Sequence, residues 1–63
     1  MKAGQIFSYK DAGEARYEPH NLVVVLNVLE TTVIFRTVAA TFASNESLTT
    51  DKVDFDRSFE KYF

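Results

Sequence analysis

Residues 22–29 read Leu-Val-Val-Val-Leu-Asn-Val-Leu, with seven apolar positions in eight and valine at four of them. β-branched side chains favour a pleated strand, and a strand apolar on both faces must be covered on both. Residues 32–38, Thr-Val-Ile-Phe-Arg-Thr-Val, are rich in the same kind of residue, and the pattern continues weakly to Phe42. Together, 22–29 and 32–42 predict a β-hairpin whose connection is centred on Glu30-Thr31. That register sets Val28 against Val33, Leu26 against Phe35 and Val24 against Thr37. One face then carries Leu22, Val24, Leu26, Val28, Val33, Phe35 and Ala39 and is expected to form the core. The other carries Val23, Val25, Ile34 and Val38 with Asn27 and Arg36. It is too apolar for a solvated face and too polar for a sealed interior. A slip of one residue would exchange the two sets, because side chains alternate with a period of two.

The flanking pattern is simpler. Residues 5–9, Gln-Ile-Phe-Ser-Tyr, predict a short strand after Gly4. Residues 10–21 hold Gly13, Pro19 and several charges and predict a loop, with the next strand starting beyond Pro19. Residues 43–50 read as a turn. Either Thr50 or Asp51 is placed to cap a helical turn whose start would carry Asp51 and Asp54. Phe55, Phe59 and Tyr62 or Phe63 fall at helical spacing. Two readings fit them: a short helix, or one turn around Phe55 followed by a closing strand over 59–63.

Length sharpens the question of what covers the second face. A chain of 63 residues and 7.2 kDa makes a single domain, here over residues 1–63, near the lower limit for independent folding. Burying roughly 3,800 Å² of apolar surface at about 25 cal/mol per Å² contributes about 95 kcal/mol. Ordering costs about 1.5 kcal/mol per residue, again about 95 kcal/mol, so no surplus is visible. With no cysteine, disulfides and thiolate metal sites are excluded, and one histidine cannot hold a structural zinc alone. Three coverings are open for the Val23/Val25 face: the C-terminal segment, a second copy, or a foreign protein. The expected interface residues are Val23, Val25, Asn27, Ile34, Arg36 and Val38, with Tyr17 as an amphipathic anchor. Valine and isoleucine would supply affinity, while Asn27 and Arg36 would set orientation.

Charge and motif content point away from catalysis. Net charge is -2 with the seven basic residues scattered, which disfavours nucleic-acid binding. A small nucleic-acid-binding barrel using Tyr9, Tyr17, Arg16 and Arg36 is the alternative. His20 sits alone beside Pro19, without a spaced partner for general-base or metal chemistry. Asp51, Asp54, Asp56 and Glu60 lack the spacing of a calcium loop and alternate with Lys52, Arg57 and Lys61. Two glycines cannot make a phosphate-cradling loop. No enzyme activity, cofactor or metal is expected. The absence of an 18-residue apolar segment, of an apolar leader at residues 1–5 and of cysteine predicts a cytoplasmic protein without a membrane span.

Gly4-Gln5-Ile6-Phe7, the paired Val33-Ile34-Phe35-Arg36 and the late Phe55-Asp56-Arg57-Ser58-Phe59 resemble, in order, very small phage and bacterial SH3-like barrel accessory proteins. The resemblance covers most of the chain and no single named family. It implies a barrel closed by the Phe-x-x-x-Phe turn; with the pattern above, the expected fold is mainly β, with α+β as the alternative: a partly open SH3-like barrel or curved antiparallel sheet with a central hairpin and a short C-terminal helix or helical turn. It also implies a role such proteins can have: a phage accessory product that binds and inhibits or modulates a host protein in the host cytoplasm. The long valine-rich strand and the glycine-free central turn depart from the pattern. Those departures favour a homodimer over a simple monomeric barrel.

Overall fold

The computed structural model describes residues 1–39 and 47–62. Five strands form one open antiparallel sheet: β1 (Ile6–Tyr9), β2 (Leu22–Val28), β3 (Thr32–Thr37), β4 (Leu48–Asp51) and β5 (Phe59–Lys61). Among the described residues the one α-helix, α1 (Lys52–Ser58), connects β4 to β5. The spatial order is β4-β3-β2-β1-β5, so the first strand is flanked by the second and the fifth. The described part is thus mainly antiparallel sheet with a short helix. Among these residues no helix is long and apolar enough to cross a membrane.

The central hairpin forms where the sequence predicts it. Val28 pairs with Val33, and the Leu29 amide donates to the Thr32 carbonyl at 2.8 Å, centring the turn on Glu30-Thr31. Beyond that turn the register differs from expectation. The pairing slips between Val25 and Asn27, leaving Leu26 as an extra residue on β2. From there Val25 pairs with Phe35, Val24 with Arg36 and Val23 with Thr37. A bulge of one residue changes the parity of everything upstream of it. Leu26, expected in the core, is therefore 42% exposed, and Val24 is only half-buried on the other face. Val23 and Val25, expected to meet a partner, are each 1% exposed in the centre of the core.

The covering of those valines comes from the C-terminal segment. Of the two readings for that segment, the turn followed by a strand is the one found, ending at Lys61. Phe55 on α1 is wholly buried and meets Phe7 edge-on at 5.0 Å, Phe35 at 5.3 Å and Phe59 stacked at 4.5 Å. Ring pairs of this kind add to what their buried area contributes. Val23, Val25 and Val33 complete the cluster, with Val28 packed against it. Asp51 occupies the N-cap position without a side-chain hydrogen bond, and Asp54 lies in the first turn. The helix is instead tied at its start by the Lys52 amide, which donates to the Thr31 carbonyl at 3.0 Å.

Two further expectations change. Leu48, Thr49 and Thr50, expected in a turn, form β4 against β3. β3 ends at Thr37 rather than running on; residues 40–46, including Phe42, and Phe63 lie outside the described residues. The expected loop over 10–21 contains two 3₁₀ segments, Lys10–Tyr17 and Pro19–Asn21. The first is broken at Gly13, whose φ of 59° suits a residue without a Cβ.

Candidate protein-interaction surface

Residues paired across an antiparallel sheet share a face, so the register places the outer-face side chains directly. Ile6 on β1, Val24 on β2 and Arg36 on β3 lie in one row. The Tyr62 amide donates to the Ile6 carbonyl at 2.9 Å and brings Tyr62 to the same level. A second row holds Glu60, Ser8 and Leu22, and the Val38 amide donates to the Leu22 carbonyl at 2.9 Å. Asn27, Ile34 and Thr49 make a third.

The 10–21 segment covers only part of this face. It packs against β1 and β3, and Ser8 and Leu22 are buried. Its own backbone is closed by Asn21, whose Nδ2 donates to the Ala15 carbonyl at 2.8 Å. Lys10 Nζ donates to the Asp56 carbonyl at 2.6 Å, and Arg16 Nη1 lies 3.9 Å from Glu60 Oε1. Tyr17 meets Tyr62 edge-on at 5.4 Å, with the Arg16 guanidinium 5.1 Å from the Tyr17 ring centre. These contacts fasten the strap to α1 and β5. They leave Ile6, Val24, Ile34 and Arg36 half-buried and Tyr17, Tyr62 and Val38 exposed.

Two polar atoms on this face stand out. Ser8 Oγ and Arg36 Nε are both buried, and neither has a hydrogen-bond partner among the described residues. A buried donor without an acceptor costs about 1–3 kcal/mol, more when charged. Ser8 is wholly enclosed beneath the strap and closed to a partner. Arg36 as a residue is only half-buried, although its Nε is itself shut off from solvent.

Of the expected interface residues, Ile34, Arg36, Val38 and Asn27 are together on the outer face, and Tyr17 stands at its margin. Val23 and Val25 are on the other side of the sheet. Ile6, Val24 and Tyr62 were not expected there. Polar Asn27 directly after Leu26, interrupting an apolar run, is the one sequence signal that the alternation breaks at that point. His20 lies apart, with Nε2 3.4 Å from Glu18 Oε2 on well-exposed side chains. Among the described residues no pocket opens and no group of three or more His, Asp or Glu is arranged to hold a metal. No family model, no curated protein and no solved structure matches this chain.

Proposed function

We propose that this chain is a non-enzymatic protein-interaction module that docks a partner through the outer face of its sheet. The observation that carries the reading is the half-covered row Tyr62–Ile6–Val24–Arg36, apolar in the middle and ending in a half-buried guanidinium. Apolar side chains with one oriented charge are the usual makings of an interface centre, where arginine and tyrosine are enriched. Ile34 and Val38 widen the apolar part, and Tyr17 borders it. The partner chemistry that fits is an apolar side chain set beside a carboxylate or backbone carbonyl for Arg36.

The finer fold reading is SH3-like. It draws support from a strand order in which β1 lies between β2 and β5, and from the helical turn that joins β4 to β5 and caps the core. With the small size and the sequence resemblance, this favours an accessory protein of the phage kind that binds and modulates a host protein. The nucleic-acid alternative is weakened because Arg16, one of its four residues, is engaged by Glu60 and Tyr17.

Affinity capture from a bacterial lysate, run side by side with wild type, Val24→Asp and Arg36→Gln, tests the reading. A captured protein whose retention falls at least about tenfold in both folded variants is the expected result, each change removing roughly 1.4 kcal/mol or more. Retention indifferent to both substitutions would refute docking at this row. Titration with labelled single- and double-stranded nucleic acid at two salt concentrations addresses the alternative, which requires salt-dependent binding lost in Arg36→Gln.

A further inference from the structure

Residues 10–21 join two strand ends that are already neighbours, since Ser8 on β1 stands opposite Leu22 on β2. The sheet does not need this strap to keep those strands together. Neither of its 3₁₀ segments buries a residue, and none of its side chains enters the aromatic core. Some of its backbone bonds close within it, the Glu18 amide on the Ala15 carbonyl and the Asn21 amide on the Glu18 carbonyl. It is fastened to α1 and β5 through exposed groups: Lys10 on the Asp56 carbonyl, Arg16 beside Glu60, and Tyr17 edge-on to Tyr62. Segments with little buried apolar surface and exposed ties are those that open locally while the rest of a protein stays folded.

The strap also covers a group that resists being covered. Ser8 is wholly buried, and its hydroxyl has no hydrogen-bond partner among the described residues. Closing the strap strips that hydroxyl of water and returns no acceptor. Leu22, in the same row, is 8% exposed and gains from the same closure. Closure is thus a balance between one apolar gain and one polar cost, tipped by ties at the margin. Gly13, with φ 59° and ψ −126°, interrupts the first 3₁₀ segment and gives the strap a joint.

We propose that the 10–21 strap is a displaceable lid, which lifts from the sheet while the strands stay paired and bares Ser8 and Leu22 beside Ile6 and Val24. The outer face then has two sizes, and the strap sets which one is presented. Rehydration of the Ser8 hydroxyl favours the open form. This goes beyond the docking reading and holds whether or not a partner docks there.

The chain has no cysteine, so a single introduced thiol reports its own exposure. Labelling by a thiol reagent, followed against urea, tests the proposal in Ser8→Cys and Leu22→Cys beneath the strap and in Val25→Cys in the core. Val25→Cys should label only through global unfolding, with the full urea slope. Ser8→Cys and Leu22→Cys should label at least about tenfold faster below the unfolding transition and with little urea dependence, yet well below the rate of a free thiol. Tyr17→Ala removes a ring contact that holds the strap and should speed labelling at both positions about twofold to tenfold. Ser8→Ala should slow labelling of Leu22→Cys at least about fivefold, because no hydroxyl then gains water on opening. Labelling beneath the strap at the rate and urea slope of Val25→Cys, labelling as fast as a free thiol, or indifference to Tyr17→Ala or to Ser8→Ala would each overturn the proposal. Should Ser8→Cys or Leu22→Cys not fold, the other decides.

Discussion

Phe55 and Ser8 are equally sealed from water, on opposite faces of the same sheet, and what seals them differs. Phe55 is held by three aromatic rings, and every atom of its side chain gains from burial. Ser8 is enclosed by a polar 3₁₀ strap, and its hydroxyl is left without an acceptor. The inner face is therefore where stability resides. The outer face is closed only halfway, and at some cost.

Substitutions can break that contrast, starting with the largest effect. Val25→Asp places a carboxylate among Phe35, Phe55 and their neighbours and should destabilise by about 4 kcal/mol or more, unfolding the chain. Loss of the far-ultraviolet circular dichroism of the native sheet checks this; a folded Val25→Asp variant that merely dissociates would return Val25 to a contact surface. Phe55→Ala should cost about 3–5 kcal/mol, which in a domain of this size leaves little or no folded population. Thermal or urea denaturation at low temperature measures it. On the outer face the sign reverses. Ser8→Ala removes an unsatisfied buried hydroxyl and should stabilise by about 1 kcal/mol, read as a higher urea midpoint with unchanged slope. Leu26→Ser, at the bulge, should stay within about 0.5 kcal/mol of wild type, where a core leucine would lose several times more.

The hairpin, its turn at Glu30-Thr31 and the short strand ending at Tyr9 were legible in the residues, each from a local rule: β-branched runs, a proline before a strand, alternation along a short segment. A closing role for Phe55 and Phe59 was implied only by the resemblance, and the C-terminal segment was one of three coverings left open. The assignment of faces was not legible, because it depends on a single inserted residue. Before the slip, Val28 opposes Val33 as the alternation requires; after it, every neighbour pair changes sides. The apolar run from Leu22 to Leu26 carries no contrast between odd and even positions, so periodicity alone could not choose between Val24 and Val25. The candidate site inherited that ambiguity. Ile34 and Arg36, on the strand without the bulge, were assigned to the correct face, while Val23 and Val25 were not. β4 was missed for another reason: Leu-Thr-Thr-Asp is too short and polar to announce a strand, and it forms because β3 offers it an open ladder.

That β1 lies between β2 and β5 also governs how the chain can be made. The strand synthesised first waits for a neighbour encoded some fifty positions later, residues 59–61 against 7–9. Until the segment with Phe55 and Phe59 has left the ribosome, the valine-rich hairpin exists without its aromatic lid. A nascent or prematurely truncated chain should accordingly be sticky, prone to chaperone capture, and rescued only when that late stretch arrives.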